Sequence, residues 1–181
     1  MMEPLQNPHA QHVYESIKKH AGCEAAESIL SAVPLGKSPN ETQKERWVNH
    51  ITQEIETRFD SETINKIRMG CSCGPPSASM KTAKELFAQS SDLEDFARRS
   101  NAKNPGVTVW VEGGALFHSY PACYCSLVKH RAIEHARTWC LCTAGYTQRL
   151  YEYALGRSVD AELLESIKMG NDRCVVKVIP Q

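Results

Sequence analysis

Residues 107–120 read VTVWVEGGALFHSY, and here the chain changes from a helical to an alternating pattern. Val107, Val109 and Val111 alternate with other residues, which is typical of a half-buried strand. Gly113-Gly114 then predicts a two-residue turn into a second strand, ALFHSY. We therefore expect an antiparallel β-hairpin at this point.

The chain before the hairpin has a helical pattern. A helix is predicted over 39–59, with Ser38 as its N-cap and Glu41 completing a capping box. Its apolar residues recur every four positions and form one stripe for packing on a core: Trp47, Ile51, Ile55 and Phe59. Shorter helices are predicted on either side of it.

The chain after the hairpin mixes helices and strands. Part of the segment 126–139 and the run 143–155 are predicted to be helical, and the end of the chain is predicted as strand, helix, strand, with the helix over 160–170. The expected fold class is α+β, a helical N-terminal part followed by an antiparallel sheet backed by helices. We expect a single domain over 1–181, mostly helical in 1–105 and a cysteine-rich α+β part in 106–181.

Charge and hydropathy exclude several classes of function. Lysine plus arginine and aspartate plus glutamate number 21 each, so no net field attracts nucleic acid. The N-terminal segment has no signal-peptide pattern, and no segment approaches the roughly 20 apolar residues of a membrane span. We expect a cytoplasmic protein that binds neither nucleic acid nor membrane.

Six of the eight cysteines form three Cys-x-Cys pairs: Cys71/Cys73, Cys123/Cys125 and Cys140/Cys142. In an extended segment residues i and i+2 point to the same side, so both thiolates of a pair can reach one soft metal ion. Zinc is the expected metal, and an iron–sulfur cluster is the alternative. The three pairs are the candidate metal ligands.

The second and third pairs are the favoured ligands because a short loop closes a site at a lower entropic cost. The link between them is basic, with Lys129, Arg131 and Arg137, and cations near thiols favour thiolates. His118 could complete a mixed site with His130 or His135. The first pair, Cys71 and Cys73, on a glycine- and proline-rich turn, is either a further pair of ligands or the candidate catalytic thiols.

Aromatic side chains are concentrated in the cysteine-rich half, where they could form the wall of a small-molecule pocket with their polar atoms on the ligand. The sequence contains no nucleophile elbow, phosphate-binding glycine loop or His-Glu-x-x-His motif. The candidate ligand-binding residues are Trp110, Tyr120, Tyr124, Trp139, Tyr146 and Tyr153.

The C-terminal segment ELLESIKMGNDRCVVKVIP resembles the closing motif of the 4-vinyl reductase domain family, with Glu165, Gly170 and Cys174 at the matching positions. The cysteine-rich run before it is similar to that of bacterial families of unknown function and, more distantly, of 2-amino-thiazoline-4-carboxylate hydrolase-like proteins. The resemblance covers roughly 107–179. It implies an α+β domain that holds a small hydrophobic or aromatic ligand or binds a partner.

Two hypotheses follow. The first is a cytoplasmic bacterial small-molecule-binding or sensor module with a cysteine-held metal, and a homodimer is an open alternative for its assembly. The second is an enzyme: a thiol- or metal-dependent hydrolase of a small sulfur- or nitrogen-containing compound, or an iron–sulfur or dithiol redox protein.

Overall fold

The computed structural model describes residues 5–71 and 77–181, which fall into two compact units. The first unit combines Met1–Cys73 with Tyr124–Cys142, and the second combines Gly74–Cys123 with Thr143–Gln181. Whether the chain is a single folding domain over 1–181 stays a prediction. None of the described helices is long and apolar enough to cross a membrane.

The first unit contains four complete helices. They are α1 (Pro8–Ala21), α2 (Cys23–Ala32), α3 (Glu41–Arg58) and α4 (Ser61–Gly70). Gly22, with φ of +93°, separates the first two. On α3 the predicted stripe is buried at Trp47, Ile51 and Ile55.

The predicted cap of α3 was wrong by two residues. Asn40, not Ser38, is the N-cap: its side chain accepts from the Gln43 backbone amide, and the Gln43 side chain accepts from the Asn40 amide, both at 2.9 Å. Asn40 is a strong N-cap, and glutamine can complete a capping box as glutamate does. The helix therefore starts two residues closer to its apolar stripe than predicted.

The second unit contains two helices and a four-stranded sheet. The helices are α5 (Ala78–Ala88) and α6 (Leu93–Lys103). The strands are β1 (Thr108–Glu112), β2 (Ala115–Tyr120), β3 (Val159–Glu165) and β4 (Cys174–Pro180). A further helix, α7 (Ala136–Leu155), begins in the first unit and continues into the second. The predicted α+β class, with an antiparallel sheet after a helical N-terminal part, is confirmed.

The sheet is antiparallel throughout, in the order β1-β2-β4-β3. The predicted hairpin is confirmed: Glu112 pairs with Ala115 across Gly113 and Gly114, whose φ angles of +58° and +77° suit a turn that favours glycine.

The register of the sheet decides what each face presents. Val109 pairs with His118, His118 with Val176, and Val176 with Leu163, so these four residues form one row across the sheet. All four are buried. Because neighbouring residues on a strand point to opposite faces, Trp110 and Phe117 belong to the other face.

The helix predicted over 160–170 was wrong. Val159–Glu165 is strand β3, and only Ile167–Met169 forms a short 3₁₀ helix. Pairing with β4 buries Leu163 and overrides the helical propensity of the segment. Glu165 therefore ends a strand instead of lying on a helix.

Only the last part of the segment 126–139 is helical, since α7 begins at Ala136. Two side chains of the link bind α3: Arg131 lies 3.7 Å from Glu45, and His135 lies 2.5 Å from Glu56. The backbone amide of Glu134 also donates to Asn49. These contacts hold the link along α3, within the first unit.

Candidate ligand cavity and arginine–cysteine cluster

The three cysteine pairs lie in three different backbone settings. Cys71 follows α4 and is buried, while Cys73 lies outside the described residues. Cys123 and Cys125 lie in an irregular segment and are half-buried. The third pair, Cys140/Cys142, is part of α7, where residues two apart are separated by about 200° around the axis. The thiols of Cys140 and Cys142 therefore do not point to the same side, as they would in an extended segment.

A buried arginine lies among the cysteines of the first unit. Arg68 is 1% exposed. Its Nη2 donates to the Trp139 carbonyl at 2.8 Å, its Nε to the Thr138 carbonyl at 3.4 Å, and its Nη1 to Cys71 Sγ at 3.3 Å. Its Cζ lies 4.0 Å from the centroid of the Trp139 ring. No carboxylate in the described parts of the chain forms an ion pair with it.

The pKa values of Arg68 and Cys142 reflect the interaction between the guanidinium and the surrounding thiols. Burial alone would lower the pKa of Arg68, but four cysteines raise it overall: Cys71, Cys142, Cys125 and Cys140. Conversely, burial raises the pKa of Cys142 to about 12, and Arg68 acts in the opposite direction. Four of the described thiols of this unit, those of Cys71, Cys125, Cys140 and Cys142, are therefore arranged around a fixed cation.

This arrangement does not fit a zinc site. Within residues 5–71 and 77–181, no group of three or more histidine, cysteine, aspartate or glutamate side chains is placed to hold a metal ion. The guanidinium of Arg68 would also repel a divalent cation among the same sulfurs. The set of six cysteine ligands stays a prediction, because Cys73 lies outside the described residues.

The second unit contains a cavity of about 320 Å³. Residues of α5, α6, β1, β2 and the second part of α7 line it. Its aromatic lining comprises Phe96, His118, Tyr120, Tyr146 and Tyr151, with leucine, valine and alanine side chains between them. The lining also contains five polar side chains: Ser79, Thr82, Ser100, Lys103 and Asn104. A cavity of this size that combines apolar walls with polar groups is typical of small-molecule sites.

His118 is the most unusual polar group of this cavity. Its side chain is 6% exposed, and its Nδ1 lies 3.0 Å from the Tyr151 hydroxyl. Its ring stacks on Tyr120, with the centroids 4.4 Å apart, and meets Tyr151 edge-on at 5.8 Å. No group of the described residues forms a hydrogen bond with Nε2. A buried polar atom without a partner costs free energy, so Nε2 of His118 lowers the stability of this part of the fold.

The other tyrosines that line the cavity are held by hydrogen bonds. The Tyr120 hydroxyl lies 2.8 Å from Thr147 Oγ1, which itself donates to the Thr143 carbonyl, so Tyr120 must be the donor. The Tyr146 hydroxyl lies 3.2 Å from the hydroxyl of Ser77, the N-cap of α5. These contacts fix both rings in place.

Two of the six predicted ligand-binding residues, Tyr120 and Tyr146, line this cavity. Trp110 lies on the other face of the sheet, stacked on Phe117 at 5.2 Å, and Tyr153 lies under Lys84. Trp139 and Tyr124 belong to the first unit, and Tyr124 is 66% exposed. The structure thus brings together two of the six.

The sequence suggested His118 as a possible member of a mixed metal site and did not point to Phe96 as a ligand-binding residue. The missing signal was the hairpin register. A two-residue glycine turn pairs Val109 with His118, which assigns the histidine to the same buried face as the valine. Nothing local marks Phe96, whose role depends on tertiary packing.

Acid should destabilise the fold through His118. Burial lowers the pKa of His118 to about 4 from its ordinary 6.5. Between these values the unfolded chain takes up a proton that the folded protein does not. The free energy of unfolding therefore falls as the pH decreases from 6.5, and the total loss reaches about 3 kcal/mol below pH 4. We expect wild type to lose about 2 kcal/mol more than His118→Phe between pH 7 and pH 5 in urea unfolding. Equal losses in the two proteins would contradict this.

The chain belongs to a family of unknown function, DUF6144, whose model matches residues 2–181. No curated protein matches the chain. Among solved structures, an H-NOX domain from Shewanella oneidensis in its Fe(II)CO ligation state matches with a TM-score of 0.45 and 8% identity, covering 96% of this chain and 97% of that one. An H-NOX protein from the same organism in its Fe(II)NO ligation state matches with a TM-score of 0.45 and 11% identity, with the same coverage. The resemblance to the 4-vinyl reductase domain stays a prediction.

Proposed function

We propose that this member of DUF6144 is a binding or sensor module for a small, mainly apolar molecule, which occupies the cavity of the second unit. The observation that carries the proposal is the cavity itself, whose lining includes the rings of Phe96, His118, Tyr120, Tyr146 and Tyr151. Aromatic and aliphatic walls supply the apolar contact, and the polar side chains of the lining, such as Ser79, Thr82 and Ser100, supply orientation. The same class of ligand is implied by the resemblance to the 4-vinyl reductase domain.

The test is a substitution that adds a large side chain to the lining of the cavity. Ala83 lies on α5 and lines the cavity, whereas Ala88 lies exposed at the end of the same helix. We expect wild type to bind at least one of acetophenone, ethylbenzene and indole with a dissociation constant below about 1 mM, measured by ligand-observed NMR. Ala83→Phe should weaken that binding at least tenfold, because the added ring occupies the space of the ligand.

The control is Ala88→Phe, which adds the same ring outside the cavity and should bind as wild type does. Near-UV circular dichroism would show that both variants retain native packing. Absence of binding for all three compounds, or binding that Ala83→Phe leaves unchanged, would refute the proposal.

A second candidate function is thiol chemistry at Cys71, which one observation favours: Cys71 Sγ accepts a hydrogen bond from the buried Arg68. Cys71 is 5% exposed and also donates to the Ile67 carbonyl at 3.2 Å. A single fast-alkylating cysteine, protected by a small ligand, would support an enzyme that uses Cys71 or Cys73. Zinc at about one equivalent in protein purified without added metal would instead support the cysteine-held metal.

A further inference from the structure

The side-chain amide of Asn101 binds the backbone of strand β1 at two points. Its Nδ2 donates to the Val109 carbonyl and its Oδ1 accepts from the Val109 amide, both at 2.7 Å. Strand β1 is an edge of the sheet, so the outward backbone groups of Val109 have no neighbouring strand. Asn101 thus pairs with Val109 as a further strand would, and it joins helix α6 to β1.

This pair of hydrogen bonds requires an amide. A donor and an acceptor must lie side by side in one plane, and among side chains of this size asparagine offers both. An ionised aspartate would present a second acceptor to the Val109 carbonyl, and a leucine would present neither group. Both bonds are part-buried, so losing them would leave the backbone groups of Val109 without a partner and without full access to water.

Two walls of the cavity meet at this contact. Val109 is 3% exposed and lines the cavity from β1. Ser100 and Lys103 line it from the last turns of α6, on either side of Asn101 in the sequence. Asn101 itself is not among the described lining residues. Its amide therefore determines how far the end of α6 lies from β1 without contacting a ligand.

The earlier part of α6 has its own anchor. The Phe96 ring meets the rings of Phe87 and Tyr151 edge-on, at 5.8 and 6.0 Å. Asn101 lies about 7.5 Å further along the helix axis, at 1.5 Å per residue. Loss of the Asn101 bonds would therefore leave Phe96 in place and free the end of α6, and with it one wall of the cavity.

We propose that Asn101 is the positioning residue that limits the size of the ligand, because it holds the end of α6 against β1. Without the amide, the end of α6 can move outward. A larger ligand then gains affinity, and a smaller one loses contact with the wall. This inference rests on the proposed function and specifies the size selection of the same cavity.

The test compares benzophenone, which has two rings, with whichever of acetophenone, ethylbenzene and indole binds wild type most tightly. The ratio of the two dissociation constants, measured by ligand-observed NMR, should shift at least about tenfold towards benzophenone in Asn101→Ala. The control is Asn171→Ala. Asn171 Oδ1 accepts from the Ser166 amide at 3.2 Å in the same unit, and neither residue lines the cavity. Asn171→Ala should therefore keep the wild-type ratio.

A second readout needs neither a ligand nor a variant. In a hairpin with a two-residue turn, Val109 and Val111 both direct their backbone N–H groups away from β2. Of these two groups, Asn101 binds the one of Val109. Hydrogen exchange in wild type, followed by NMR, should therefore be at least about tenfold slower at the Val109 amide than at the Val111 amide, relative to the intrinsic rates.

Equal exchange at the two amides, or an unchanged ratio in Asn101→Ala, would overturn the inference while leaving a small-molecule cavity in place. An equal shift in Asn171→Ala would also overturn it, because the effect would then follow from general destabilisation. If Asn101→Ala does not fold, the exchange comparison in wild type decides. Absence of binding for every probe would instead overturn the proposed function.

Discussion

Replacing Arg68 with methionine is expected to lower the free energy of unfolding by about 3 kcal/mol. The substitution keeps most of the side-chain volume but removes the donor to the Trp139 carbonyl at 2.8 Å, the donor to Cys71, and the cation over the Trp139 ring. The relief of a desolvated charge offsets part of this loss. Urea unfolding in the presence of a reductant measures the difference.

Arg58→Met is the matched control. Arg58 lies at the end of α3 in the same unit and pairs with Glu54, but its side chain is 39% exposed. An exposed pair contributes little, so the loss should stay below about 1 kcal/mol. Arg68→Lys should fall between the two, because it keeps a charge but loses the planar fork of donors. If Arg68→Met had a higher free energy of unfolding than wild type, the buried cation would be a net destabilising group, which contradicts the prediction.

The hairpin shows how much of the fold could be predicted from local signals. Alternation on both sides of Gly113-Gly114 determines the strands, the turn and the pairing of Val109 with His118. The stripe on α3 was predictable for a similar reason, since an apolar residue every four positions can pack only along one side of a helix. In both cases the sequence pattern and the tertiary burial agree.

The segment 159–165 shows where local signals fail. Its residues favour a helix, but Leu163 is buried by pairing with Val176 of β4, some distance away in sequence. The register shifts between Leu163 and Glu165, an irregularity that further obscures the alternation. The pairing of β3 with β4 determined the structure of this segment, and that pairing cannot be read from a single sequence.

Arg68 could not be recognised as a buried group from composition, because arginine is almost always solvated. One signal was present: Ile64, Ile67 and Arg68 are spaced i, i+3 and i+4, which places the arginine on the apolar side of α4. The cysteine pairs were noticed for their spacing, but what Cys71, Cys125, Cys140 and Cys142 share is their proximity to this cation. The Cys-x-Cys spacing drew attention to these cysteines. It predicted an extended backbone for Cys140 and Cys142, which instead lie in helix α7.

Phe96→Ala is expected to destabilise the protein by about 3–5 kcal/mol and to enlarge the ligand cavity. Phe96 is 1% exposed, lines the cavity, and contacts Phe87 and Tyr151 edge-on at 5.8 and 6.0 Å. A compound that fills the new space should recover part of the loss. Toluene at about 100 times its dissociation constant should restore about 2.7 kcal/mol, measured as a shift of the urea midpoint.

Phe87→Ala separates this effect from the simple loss of an aromatic contact. Phe87 packs on Phe96 but does not line the cavity and is only half-buried, so its removal should cost less. Because the vacated space lies apart from the cavity wall, toluene should stabilise Phe87→Ala no more than it stabilises wild type. Equal rescue of both variants would mean that the added stability does not come from the cavity. A loss below about 1 kcal/mol for Phe96→Ala would mean that the ring does not support the cavity wall.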